Sequence, residues 1–155
     1  MAYYSRKLKI PFQVVLNKVI ENLKQQGFGI ITSIDVQDTF KQKLNVSFRN
    51  YKILGACNPQ FAYKAISLES HMGIMLPCNV VVQEHENGEV EVTAMSPLEN
   101  LGASFNTSQL VELAAEVGEK LRTAIDNLHR ETPASHAEAL PVEVSRNTMN
   151  CPMSG

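Results

Sequence analysis

The stretch CNVVVQEHENGEVEVTAM, residues 78–95, decides the fold. It contains two valine-rich runs in which every second residue is apolar, the pattern of β-strands that bury one face. Asn87 and Gly88 lie between the runs, and Asn-Gly is the strongest short-range signal for a β-hairpin. We therefore predict two antiparallel strands over 78–85 and 89–95. One face of the first strand then carries Cys78, Val80 and Val82.

Three segments around the hairpin have the three- and four-residue apolar spacing of amphipathic helices. The first spans 12–26, with Gly27 suited to the left-handed position after its end. The second starts at Asn58, a good N-cap residue. The third runs from about 107 to 130, where Asn106 and Gln109 resemble a capping box. The apolar stripe of this last helix could cover its own sheet or meet a twin helix in a dimer, and packing on its own sheet is favoured.

Two more strands are predicted before the hairpin, over 28–36 and 51–56. The segment 37–48 between them is ambiguous, and Asp38 could cap one or two helical turns that bury Phe40 and Leu44. The order is therefore helix-strand-strand-helix-strand-strand-helix. An antiparallel sheet with helices on one face buries these stripes most simply, which predicts the α+β class.

Composition limits the function classes. The chain has 155 residues, 44% of them apolar, with a net charge of −2 and a pI of about 6.1. Nucleic acid as the main partner is not expected, because phosphate binding needs clustered Lys and Arg. No apolar run has the length of a signal peptide or membrane span, so we expect no membrane partner and a cytoplasmic location. Three cysteines are no disulfide scaffold, and a reducing compartment would keep them as thiols.

The domain organisation follows from a break in pattern near residue 130. We predict one α+β domain over 1–130. Beyond it, prolines, serines, alanines and glutamates predict a flexible tail over 131–155. Cys151 falls in this tail, where a solvated thiol is the simplest interpretation.

Two short segments echo each other and carry the candidate chemistry. Gly55-Ala56-Cys57-Asn58-Pro59 and Leu76-Pro77-Cys78-Asn79 each place a cysteine beside a proline-marked boundary between elements. Cys57 immediately precedes a helix N-terminus, where a thiolate is stabilised and its pKa lowered. If the strands of Cys57 and Cys78 are neighbours, the thiols come close; a disulfide needs Cα atoms about 4.4–6.8 Å apart. The alternative is that both are small buried hydrophobic residues.

These two segments, together with Gly27-Phe28-Gly29, Ile34-Asp35 and the Gly88 hairpin, resemble the domain of unknown function 302 family over about residues 10–130. The resemblance implies a TATA-box-binding-protein-like α+β fold and a homodimer, and it brings no established reaction. Many relatives carry another residue in place of Cys57 and Cys78, and often an Asp-His pair where this chain has Asp35-Val36. The sequence is similar to a two-cysteine branch of the family.

Metal binding or catalysis would need more groups than the two thiols. His71, Met72, Met75 and His85 are near Cys78 in sequence. Thiolate with thioether suits Cu(I), although methionines are more often core or loop residues. Asp35 could form an acid–base set with Glu84 or His85, but a turn or cap role for Asp35 is favoured.

We therefore expect a small-ligand module that binds a soft metal ion or a reactive sulfur species, or senses redox state, through Cys57 and Cys78. The candidate ligand-binding residues are Cys57, Cys78, Asn58, Asp35 and His71, with Cys57 and Cys78 as the candidate metal ligands. One alternative is an enzyme with Cys57 as nucleophile, and another is an interaction module with structural cysteines. Neither a catalytic set, a substrate nor a cofactor can be predicted from the sequence.

Overall fold

The architecture is a five-stranded antiparallel sheet with helices packed against it, in a computed structural model that describes residues 2–128. The strands are β1 (Tyr3–Leu8), β2 (Gly29–Asp35), β3 (Tyr51–Cys57), β4 (Cys78–Glu84) and β5 (Val90–Met95). The α-helices are α1 (Phe12–Gln25), α2 (Val36–Leu44), α3 (Pro59–Leu68), α4 (Pro97–Asn100) and α5 (Ser108–Asp126). Two 3₁₀ segments cover Ser70–Met75 and Ala103–Phe105.

The sheet order is β1-β5-β4-β3-β2, with every neighbouring pair antiparallel. Leu54, Val80 and Ala94 lie opposite one another on three adjacent strands and are buried. Residues that alternate with them, such as Asn79 and Thr93, are exposed or half-buried. The sheet therefore buries one face, as the alternation of the hairpin predicts.

The main core lies between this buried face and helices α1 and α5, and both helices contact the sheet. A buried polar contact ties the two helices together. The Asn22 amide on α1 donates to the Ala124 carbonyl near the end of α5, at 3.0 Å. Carbonyls in a last helical turn have no partner within the helix, so Asn22 satisfies one that would otherwise be buried without a bond. The expectation that the last helix packs on its own sheet is confirmed.

The predicted α+β fold is confirmed, and the structure adds one strand. β1 pairs with β5 along the sheet edge. Its sequence, YYSRKL, lacks clean alternation because only Leu8 is buried. An edge strand faces solvent along one side and tolerates charged residues, so it carries a weak pattern.

Two helix starts differ from the prediction by a few residues. Asp35, rather than Asp38, caps α2 by accepting from the Asp38 amide at 3.0 Å, and Leu44 is exposed rather than buried. Thr107, rather than Asn106, caps α5. Each helix begins at a residue whose side chain accepts a hydrogen bond from the backbone amide three residues later, and several neighbouring residues can do this.

The predicted tail over 131–155, with Cys151, lies outside the described residues. Helix α5 ends at Asp126, before the predicted end near 130. Between residues 2 and 128, no helix is both long enough and apolar enough to cross a membrane.

Candidate functional site

Three neighbouring strands bring sulfur-bearing side chains together at one end of the sheet, where the strands begin or stop. β3 ends at Cys57, β4 begins at Cys78 and β5 ends at Met95. Because β4 lies between β3 and β5 and is antiparallel to both, these three strand termini lie at the same end of the sheet. Cys78 lies directly opposite Ala56, the residue before Cys57. The expectation that the two cysteine strands are neighbours is confirmed, and both cysteines are free thiols.

The start of α3 fixes the position of Cys57. Asn58 caps the helix, its side chain accepting from the Phe61 amide at 3.5 Å, and Pro59 follows in the first turn. Gly27, at φ +88°, lies beneath this cap: a Cβ added there would be 2.9 Å from Asn58 Nδ2. Asn58 thus positions the chain after Cys57, as the sequence predicts.

A close approach of backbone and side chains holds the two cysteine segments together. A Cβ added at Gly55 would lie 2.0 Å from Thr32 Oγ1 and 2.8 Å from Pro77 Cγ. Glycine is therefore required for β3 to pass beside the Pro77 ring just before Cys57. The peptide bond before Pro77 is cis.

An apolar pocket opens at this end of the sheet, between the strand ends and helices α3 and α5. Its volume is about 60 Å³, and it is partly open to solvent. Five of its lining residues carry sulfur: Cys57, Cys78, Met72, Met75 and Met95. The remaining lining residues are Phe28, Ala56, Asn58, Phe61, Ala62, Ala65, Leu76, Pro97, Leu101, Leu110, Leu113, Ala114 and Val117. Asn58 is the one lining residue with a polar amide, and its side chain already caps α3.

The apolar surroundings keep both thiols protonated. Burial raises the pKa of Cys57. Burial also raises the pKa of Cys78 to about 11, and the neighbouring Cys57 adds to this shift. The expected lowering of the Cys57 pKa at the helix N-terminus is not found, because burial of the thiol raises this pKa.

These pKa directions give a testable order of thiol reactivity. Because the thiolate is the reactive form, iodoacetamide should modify Cys57 more slowly than free cysteine at pH 7.5, with a rate rising about tenfold per pH unit below the pKa. The buried Cys78 should react later still and reach half its maximal rate only near pH 11. Peptide mass spectrometry measures both rates. Faster reaction of Cys57 than of free cysteine at pH 7.5 would refute a raised pKa.

The structure does not bring Asp35 or His71 to this pocket. Asp35 is at the far end of β2, six residues or about 20 Å from the Gly29 that pairs with Cys57. His71 is exposed and its ring contacts Glu69 at 2.6 Å. Neither residue lines the pocket.

The proposed acid–base partners of Asp35 are engaged elsewhere. Glu84 accepts from the Asn50 amide at 3.0 Å, and His85 contacts Glu91 at 2.7 Å. Glu84 is the last residue of β4 and His85 follows it, so both are at the end of this strand opposite Cys78. Within the described part of the chain, no three His, Cys, Asp or Glu side chains form a group that could hold a metal ion.

Sequence reasoning missed Met95 and did not favour Met72 or Met75 as site residues. Met72 and Met75 belong to the 3₁₀ segment that covers the pocket, and Met95 ends the second hairpin strand. One signal was available. The second strand of an antiparallel hairpin ends beside the start of the first, so the hairpin alone places Met95 beside the start of β4.

Comparisons with known proteins give two findings. A family model described as "Domain of unknown function DUF302" matches residues 4–128. A structural neighbour is described as "Crystal structure of uncharacterized conserved protein DUF302 from Bacillus stearothermophilus". The two are 28% identical in sequence, the match covers 83% of this chain and 99% of the other, and the TM-score is 0.76. A search of curated proteins finds no match.

Proposed function

Because the chain belongs to the domain of unknown function DUF302 family, whose description names no reaction, we propose a function from the pocket geometry: a small-ligand module that takes up a soft, poorly hydrated ligand. The observation that carries this proposal is the sulfur-rich lining. Cys57, Cys78 and three methionines line one apolar pocket between this end of the sheet and helices α3 and α5.

The lining selects against charged and strongly hydrated ligands. Moving an ion or an unpaired polar group into apolar surroundings costs several kcal/mol unless a partner compensates it. The one side-chain amide of the lining, on Asn58, uses its Oδ1 to cap α3. A ligand therefore has to gain most of its affinity from apolar contact and from sulfur, which favours soft, polarisable groups such as a neutral sulfur species or a soft metal ion.

An enzyme with Cys57 as nucleophile is less well supported. A nucleophilic cysteine is activated by a lowered pKa or by an adjacent base. Burial raises the pKa of Cys57 instead, and the described histidines His71 and His85 contact glutamates away from the pocket.

Two methanethiosulfonates of opposite character test the proposal. Methyl methanethiosulfonate is small and neutral, whereas its sulfonatoethyl analogue carries a negative charge, and both transfer an alkylthio group to a thiol. In a Cys78→Ser, Cys151→Ser variant of the full chain, Cys57 is the one remaining cysteine. The ratio of neutral to anionic reaction rates should be at least about tenfold higher for Cys57 than for glutathione, since the apolar pocket excludes charge. An equal ratio would overturn the proposal.

A variant that fills the pocket, compared with a matched surface variant, tests whether the reagent enters it. Ala62 lines the pocket on α3, and Ala62→Leu should slow the neutral reagent about tenfold by occupying its space. Ala115 is exposed on α5 and does not line this pocket, so Ala115→Leu should leave the rate unchanged. Equal rates in the two leucine variants would mean that the reagent does not enter the pocket.

The homodimer and the two-cysteine branch, both implied by the resemblance, stay predictions, and so does the cytoplasmic location. Sedimentation equilibrium of the full chain would test the homodimer.

A further inference from the structure

Packing fixes most walls of the apolar pocket. Its lining draws on two separate clusters of buried residues. Ala56 and Cys78 belong to the main core, whereas Ala65 and Met72 belong to a second, smaller cluster. All four side chains are at most 7% exposed. Because packed protein interiors yield little, the pocket cannot widen on these sides without displacing buried side chains.

The volume of the pocket limits the size of the group that enters it. This volume is about 60 Å³. A water molecule occupies about 30 Å³ of its liquid, and an apolar cavity of about 150 Å³ holds benzene. On that scale the pocket accommodates about two or three non-hydrogen atoms. Its only titrating side chains are the Cys57 and Cys78 thiols, which burial keeps protonated. The group that enters is therefore small and neutral.

A second, larger space shares part of its lining with the pocket. This groove has a volume of about 570 Å³ and lies between β1, α4 and α5. Met95, Pro97 and Ala114 line both spaces. Ala114 has no side chain beyond its Cβ, and Pro97 is a short ring at the start of α4. Met95 is therefore the one residue with a long, flexible side chain in the partition between the small pocket and the large groove.

We propose that the pocket takes a neutral sulfur compound of no more than about three non-hydrogen atoms, and that Met95 sets this limit as the wall between the pocket and the groove. Sulfur in the ligand suits the lining, because polarisable sulfur makes favourable contacts with aromatic rings and Phe28 and Phe61 line the pocket. This inference rests on the proposed function and names the size and class of its ligand.

The position of Met95 makes it the wall that can be removed. Met95 ends β5 and is half-buried, packed against the margin of the main core. Shortening its side chain would join the pocket to the groove and leave the buried core residues unchanged. The sequence of the other walls would stay as it is, so a change in ligand size could be assigned to this one position.

Two sulfides that differ in bulk test the size limit. Dimethyl sulfide is compact, whereas diisopropyl sulfide is branched on both sides of its sulfur and has no narrow end to insert. Neither reacts with thiols, so the full chain is titrated unmodified, and the methyl NMR signals of Met72 and Met75 report occupancy of the pocket. We expect dimethyl sulfide to bind at least about tenfold more tightly, because over-filling an apolar site displaces packed side chains. Non-specific apolar adsorption predicts the reverse order, since the larger sulfide buries more apolar surface. Equal or tighter binding of diisopropyl sulfide would rule out the size limit.

Variants of Met95 test its part as the wall. Met95→Ala should tighten diisopropyl sulfide binding at least about tenfold, because the space left by the side chain opens the pocket into the groove. Met95→Leu nearly conserves the volume of the side chain and should leave diisopropyl sulfide excluded. Met95→Val is also shorter than methionine and suits a strand, so it should act in the same direction as Met95→Ala and replaces it if the alanine variant does not fold. Continued exclusion of diisopropyl sulfide from a folded, shortened variant would show that Met95 is not the wall.

The outcomes separate this inference from the proposed function. If both sulfides shift the pocket methyl signals at equal concentrations, the size limit fails and the proposed function stands. If neither sulfide shifts them, the proposed function fails as well, because the pocket then takes up no soft neutral ligand.

Discussion

Replacement of Phe28 by alanine is expected to lower the free energy of unfolding by about 3–5 kcal/mol, the usual cost of removing a buried aromatic ring. Phe28 is 1% exposed, belongs to the main core and also lines the sulfur-rich pocket. Loss of the ring removes its packing from both at once, and the surrounding sheet and helices can collapse only partly into the space. Urea denaturation, with an unchanged dependence of free energy on urea concentration, measures the loss.

Phe40 supplies the matched control. It is half-buried on α2, with its ring 4.9 Å from that of Phe48. Phe40→Ala removes this one edge-on aromatic contact and should cost about 1–2 kcal/mol. A loss at Phe28 no larger than the loss at Phe40 would mean that Phe28 is not a central core residue.

Gly27→Ala is expected to destabilise the protein by about 2–3 kcal/mol through two separable effects. A left-handed backbone costs a residue with a Cβ about 1–2 kcal/mol, and Gly27 has φ +88°. The new Cβ would also lie 2.9 Å from Asn58 Nδ2 and displace the cap of α3; losing a cap costs about 0.5–2 kcal/mol. Urea denaturation of the two variants, Gly27→Ala and Gly88→Ala, measures the sum and its parts.

Gly88 isolates the backbone effect. Its φ is +84°, and an added Cβ meets nothing within 4 Å. Gly88→Ala should therefore show only the left-handed cost, about 1–2 kcal/mol. The excess at Gly27 should shrink when Asn58→Ala is already present, because the cap is then gone. Equal destabilisation of the two glycine variants would show that Gly27 does not support the cap.

The parts of the fold that the sequence predicts are those in which local chemistry is strong. Asn87-Gly88 and the alternating valines predict the hairpin, and Asn58 followed by Pro59 predicts the start of α3. β1 is not predictable in this way, because an edge strand with a single buried residue has no clear period. Its pairing with β5 is a tertiary effect that its own sequence does not carry.

The site is predicted in part for the same physical reason. The two proline-marked cysteines correctly locate the end of the sheet at which the pocket lies. The methionines and the α5 side chains that complete the pocket come from separate segments, and only their packing in three dimensions brings them together. The direction of the shift in the Cys57 pKa also depends on the tertiary burial of the thiol, which its sequence neighbours do not reveal.

Methionine-methyl NMR tests the central claim, uptake of a soft ligand by the sulfur-lined pocket, most directly. Of the six methionines of the chain, Met72, Met75 and Met95 line the pocket. When methyl methanethiosulfonate modifies Cys57 in the Cys78→Ser, Cys151→Ser chain, we expect these three methyl resonances to shift. Modified Cys57 with unshifted pocket methyls would contradict the account.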